Sequence, residues 1–158
     1  MSLVVAKFGG TSVASPERIQ KVADRLIKKK EAGDKVVAVV SAMGKTTDEL
    51  VGLAAAVNDR PAKREMDMLL STGEQVSMAL LAMALQARGH EATSFTGWQA
   101  GIVTDSEFSS AKIEIINADR IIDQLDRGAI VVVAGFPGHA RSRRLGYYSG
   151  GARSRHRC

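Results

Sequence analysis

The chain has 158 residues, 45% of them hydrophobic and only 4% aromatic, a composition that suits one α/β domain or one large piece of a longer enzyme. Its formal charge of +5 is uneven: residues 137–158 hold six arginines and no acid, so the rest carries 16 basic (22 less 6) against 17 acidic residues, a net of −1. A lone Cys158 excludes an internal disulfide framework, no basic-then-apolar leader opens the chain, and no apolar run reaches membrane-spanning length, so a cytoplasmic protein is expected.

In chain order, Leu3-Val4-Val5-Ala6 reads as a buried strand running into Lys7-Phe8-Gly9-Gly10-Thr11-Ser12. Adjacent glycines let backbone N–H groups approach phosphate oxygens, and Lys7 adds a compact cation beside two hydroxyls. The same letters also suit an ordinary strand-to-helix turn with a solvated lysine. Ser15 and Pro16 form a helix start, and Ile19, Val22, Ala23, Leu26 and Ile27 recur at helical spacing up to Gly33. Lys35 to Val40 is a continuous apolar strand ending in Ser41-Ala42-Met43-Gly44, with Thr46 or Thr47 as cap of the next helix.

A longer helical region is expected from about Arg64 to Ala87, interrupted at Ser71-Thr72-Gly73-Glu74. Thr93 to Phe95 and Ile102-Val103 are weaker strands. Asn117 caps a helix through Ile121, Ile122 and Leu125, and Ala129 to Ala134 is a third strong strand ending in Gly135-Phe136. Apolar strands alternating with amphipathic helices predict a mainly parallel sheet covered on both faces. Residues 1–136 form this unit; 137–158 read as a basic tail, disordered or frameshifted, without the aromatics that specific nucleic-acid binding requires.

In such sheets ligands gather at the carboxyl ends of the strands, which here end in Lys7 to Gly10, Ser41 to Gly44 and Gly135-Phe136. Glu74, ahead of an apolar helix, can bring a carboxylate to the same rim. Small-residue loops, one lysine and one acid suit a polyphosphate and a charged small substrate, and phosphoryl transfer needs mainly positioning and charge neutralisation. Taken singly, Glu74 is also a solvated first-turn acid, and Thr47, Asp48 and Glu49 are helix-start residues. Met43, Met66, Met68, Met78 and Met83 read as packing, Phe95 and Trp98 as core or interface. Neither His90 nor His156 with Cys158 makes a metal site.

Lys7-Phe8-Gly9-Gly10-Thr11-Ser12-Val13, Val39-Val40-Ser41-Ala42-Met43-Gly44 with Thr46-Thr47-Asp48-Glu49-Leu50, and Ser71-Thr72-Gly73-Glu74-Gln75-Val76-Ser77 resemble the successive signatures of aspartokinases, and the segment from Ser94 to Gly101 is similar to a further one. The match runs in order from residue 1 to about Phe136. That family belongs to the amino-acid kinases, which use an open αβα sandwich and no Walker loop; this chain has no G-x-x-x-x-G-K-[ST].

The resemblance implies transfer of the ATP γ-phosphoryl group to the side-chain carboxylate of L-aspartate, giving 4-aspartyl phosphate, the first step toward lysine, threonine and methionine. It implies Lys7 as the catalytic cation and an ATP site of Lys7, Phe8, Gly9, Gly10 and Ser41. Thr47, Asp48 and Glu74 would bind aspartate, Glu74 facing its ammonium, with magnesium arriving on ATP. It also implies a homo-oligomeric or dimeric parent without membrane or specific nucleic-acid partners. After Phe136 the family continues with Gln-Gly and a Thr-Leu-Gly-Arg-Gly-Gly-Ser-Asp loop, then an adenosine-binding half and ACT regulatory domains. None of these is found here.

The chain therefore reads as a truncated, incomplete kinase domain, inactive alone and prone to aggregate. Codons for 136–138 and 146–150, read one base out of frame, permit parts of the lost loop. Other readings are a kinase of glutamate derivatives or UMP, or a non-catalytic fragment that associates with a full-length kinase.

Overall fold

The computed structural model describes residues 1–105 and 112–136; the basic tail lies outside them. The elements are β1 (Leu3–Phe8), a 3-10 turn (Gly10–Val13), α1 (Pro16–Glu31), β2 (Lys35–Val40), α2 (Thr46–Val57), α3 (Lys63–Gln86), β3 (Ala92–Phe95), β4 (Ile102–Thr104), β5 (Ile113–Ile116), α4 (Asp119–Asp126) and β6 (Ile130–Ala134). Four strands form one parallel sheet in the order β1-β2-β6-β3, and β4 and β5 form a separate antiparallel pair. The register pairs Phe8 with Val40, and Val40 with Ala134, so three strands end level.

One face of the sheet is thickly covered. Phe8, Val36, Ala38, Val40, Ile130, Val132 and Ala134 meet α1 through Ile19, Val22, Ala23, Leu26 and Ile27, and α3 through Met78, Leu81 and Leu85. Both helices turn apolar stripes inward, and α1 starts where Ser15 accepts the Arg18 N–H ahead of Pro16. The opposite face has a smaller core: Val37, Val131 and Val133 pack with Ala100 and Leu125, backed by Phe95, Ile102 and Ile121. Among the described residues that cover does not reach β1: Leu3 and Val5 are 60% and 63% exposed, on an edge strand that pairs with β2 alone.

Several expectations change. The helix predicted to break at Ser71 to Glu74 is continuous from Lys63 to Gln86. Ser71 and Thr72 donate to the carbonyls of Met68 and Leu69, which absorbs hydroxyls that otherwise compete with the helix. Gly73 is there for close packing: a Cβ would lie 3.1 Å from Ala42 Cβ and 3.3 Å from both Leu50 Cδ1 and Thr46 Cγ2. This helix is also long and apolar enough to cross a membrane by composition, contrary to the sequence expectation; its Gly73, Ser77, Leu81 and Leu85 are buried in the fold instead.

Neither Thr46 nor Thr47 caps α2; the cap position is Lys45, with no side-chain bond. Asn117 sits one residue before the cap of α4 and accepts the Asp119 N–H. The strand β5 has no counterpart in the sequence reading. Met68 and Met83 are exposed, not core, and Trp98 is 48% exposed.

Candidate active site

The level ends of β1, β2 and β6 are tied to one another beyond the ladder. The Ser41 N–H donates to the Phe8 carbonyl at 3.1 Å, the Gly44 N–H to the Gly10 carbonyl at 3.1 Å, and the Gly135 N–H to the Val40 carbonyl at 2.9 Å. Gly10 is pressed against this rim so closely that a Cβ would lie 2.8 Å from the Ala42 carbonyl oxygen, a contact no side chain tolerates. Gly9, by contrast, has open space around the position of a Cβ. Its extended backbone precedes the 3-10 turn, where the Ser12 N–H returns to the Gly9 carbonyl at 2.8 Å. The pair thus divides its work: Gly10 is fixed by packing, while Gly9 leaves the backbone approachable.

Lys7 is exposed, on the same face of β1 as Leu3 and Val5. Its charge acts on Glu74, which α3 brings to the same rim. Glu74 is buried rather than the solvated first-turn acid that its sequence position permits, because α3 begins eleven residues earlier, at Lys63. Burial holds its carboxyl above the usual range, opposed by the Phe136 N–H, by the charge of Lys7 and by the Gly135 N–H. The Phe136 N–H donates to Glu74 Oε2. An α3 carboxylate therefore closes the end of β6.

The start of α2 reaches this place through Thr46, whose methyl group borders Gly73, the residue beside Glu74. Thr47 and Asp48 follow in the exposed first turn of α2, with Asp48 and Glu49 favourably placed at a helix N-terminus. Lys7, Gly9, Gly10, Ser41 and Glu74 thus converge on one rim, with Thr47 and Asp48 on the helix beside it.

Sequence reasoning passed over Ser77. It is fully buried, and its Oγ donates to the Ser41 carbonyl at 2.6 Å, with the Glu74 carbonyl at 3.0 Å. The available signal was a hydroxyl three residues after Glu74, on the apolar side of a helix. Among the described residues, no three or more His, Cys, Asp or Glu side chains are grouped to hold a metal ion.

Two glycines, a lysine and a buried carboxylate gathered at the strand ends of a parallel sheet define the candidate site. The model of the Amino acid kinase family matches residues 2–151, and the chain belongs to that family. Among its relatives, "Aspartokinase 2" of Bacillus subtilis (strain 168) is 59% identical over 138 residues, 87% of this chain and 34% of the relative. "Aspartokinase" of Geobacillus stearothermophilus is 62% identical over the same shares.

In three dimensions the aspartate kinase from Synechocystis superposes with a TM-score of 0.72 at 53% identity, covering 84% of this chain and 21% of that one. E. coli aspartokinase III in complex with aspartate and ADP gives 0.70 at 22% identity, covering 83% and 40%, and shares the fold. The chain spans about a third of the length of the curated relatives it matches.

Proposed function

We propose that this chain is part of the catalytic domain of an aspartokinase. In the reaction, a side-chain oxygen of L-aspartate forms a bond to the γ-phosphorus of ATP. The bond from that phosphorus to the bridging oxygen breaks, leaving ADP and 4-aspartyl phosphate. The observation that carries the reading is the identity of about 60% to bacillar aspartokinases across the segment that holds the whole candidate rim.

Lys7 neutralises charge on the transferring phosphoryl group, and Gly9 and Gly10 offer backbone donors to ATP beside Phe8. Ser41 contacts a nucleotide phosphate from the end of β2. Thr47 and Asp48 bind aspartate from α2. Glu74 receives its ammonium; a carboxylate has room for several donors, so the Phe136 N–H leaves capacity for it. Magnesium supplies charge neutralisation on the phosphates, and it belongs to the nucleotide rather than to a protein cage. The protein is placed in the cytoplasm, as part of an oligomeric parent.

The test is amide NMR of the chain titrated with Mg-ATP and with L-aspartate, beside an aspartate hydroxamate assay. Expected are nucleotide shifts at Gly9, Gly10 and Ser41, aspartate shifts at Thr47 and Glu74, and little turnover by the chain alone. Equal responses to L-aspartate, L-glutamate and UMP would overturn the substrate assignment. A second reading, association with a longer kinase chain, is favoured by the exposed Leu3 and Val5 on β1, whose outer edge is unpaired among the described residues.

A further inference from the structure

We propose that Ser77 is a positioning residue, whose hydroxyl locks the Ser41 end of β2 to the helical turn that carries Glu74. What those two residues bind rests on the aspartokinase reading; the lock itself rests on geometry. Ser77 has 0% exposure and sits in the stretch of α3 that packs Met78 and Leu81 into the core, a place where an unused hydroxyl is costly. Its single proton goes to the Ser41 carbonyl at 2.6 Å, a partner 36 residues away, with the Glu74 carbonyl at 3.0 Å as the local alternative. Ser71 and Thr72 donate within their own helix, to Met68 and Leu69. Ser77 instead reaches out to another element.

Ser41 lies one residue beyond β2. Its N–H is held by the Phe8 carbonyl, so with Ser77 on its own carbonyl the residue is clamped from β1 and from α3 at once. One turn of α3 then joins three strand ends: Ser77 holds β2, Glu74 holds the exit of β6 at Phe136, and the charge of Lys7 on β1 bears on Glu74. The nucleotide-side residue Ser41 and the substrate-side residue Glu74 are thereby kept at a fixed separation. Phosphoryl transfer depends on such positioning.

The experiment compares Ser77→Ala and Ser77→Cys with the native 158-residue chain, kept reduced and well below its unfolding temperature. Hydrogen exchange at the Ser41 and Gly44 amides is expected to accelerate about tenfold in Ser77→Ala and less in Ser77→Cys, which keeps a weak donor. The core amides of Val37 and Val132 stay unchanged. Affinities for Mg-ATP and L-aspartate are expected to fall about tenfold in the folded Ala variant and to recover partly with Cys, a change that a purely stabilising residue would not produce.

Native exchange at Ser41 and Gly44 in Ser77→Ala, or native affinities for both ligands, overturns the proposal. If the native chain binds neither ligand, the ligand roles given to Ser41 and Glu74 in this chain fail, and exchange at Ser41 and Gly44 alone decides the role of Ser77. If Ser77→Ala does not fold, Ser77→Cys supplies both readouts.

Discussion

Glu74 of α3 accepts the backbone N–H of Phe136, so a carboxylate 62 residues earlier in the chain closes the end of β6. The contact explains how a buried acid is held at the sheet rim. It also makes Glu74 a pH-sensitive element of stability. Burial raises its carboxyl above the ordinary value, so the folded state binds the proton more tightly than the unfolded chain does. The stability from that proton is fully present below the ordinary carboxyl value near 4.5 and is lost as pH rises through the raised folded value. Glu74→Gln keeps an acceptor for Phe136 without the charge. Denaturant unfolding of the two proteins should show the variant gaining on the native chain across that window and holding a constant advantage above it; parallel stability curves would refute the assignment.

The neighbouring glycines of the rim are expected to respond oppositely to the same substitution. Gly10→Ala places a Cβ against the Ala42 carbonyl oxygen and should cost ~1–3 kcal/mol of unfolding free energy. Gly9→Ala meets open space in an extended backbone and should change stability by less than ~1 kcal/mol while weakening Mg-ATP binding. Urea unfolding and a nucleotide titration on both variants separate the packing role from the ligand role.

Removing Lys7 tests its charge apart from its place in the strand. The side chain is exposed, so Lys7→Ala should alter stability by no more than ~0.5 kcal/mol. Its loss also removes a cation that opposes the rise at Glu74, so the Glu74 carboxyl should titrate higher still, as read by carbon NMR of the side chain. Any aspartate hydroxamate formed by the native chain should fall to background.

The larger of the two cores lies on the α1 and α3 face. Leu81 is fully buried between α3 and the sheet, and Leu81→Ala should cost ~2–5 kcal/mol in urea unfolding. A smaller loss would mean that the helix closes over the cavity.

The uncovered side of β1 should behave differently. Leu3 and Val5 face solvent on an edge strand, and the chain should self-associate at raised concentration. Sedimentation of a Leu3→Lys, Val5→Lys double variant should give a monomer under conditions where the native chain forms larger species.

How much of this was legible before folding differs from one element to the next. The strands Leu3–Phe8, Lys35–Val40 and Ile130–Ala134, and the helix from Pro16, follow from local pattern: apolar runs, buried on both faces in β2 and β6 but on one face only in β1, and a stripe with a Ser-Pro start. Their ends give the rim, so Lys7, Gly9, Gly10 and Ser41 were legible together. The sequence misread α3, because Gly73 looks like a break when considered alone; only the contact with Ala42, Leu50 and Thr46 explains it.

The four motifs, met in order along the chain, carried the family resemblance in the sequence itself, and the family model matching residues 2–151 bears it out. Tertiary structure alone decided that Glu74 is buried and bound to Phe136, that Gly10 and Gly9 differ, and that Ser77 reaches Ser41. Each of those depends on groups tens of residues apart being brought within hydrogen-bond or van der Waals range. Local periodicity carries no information about such distances; strand order and helix docking set them.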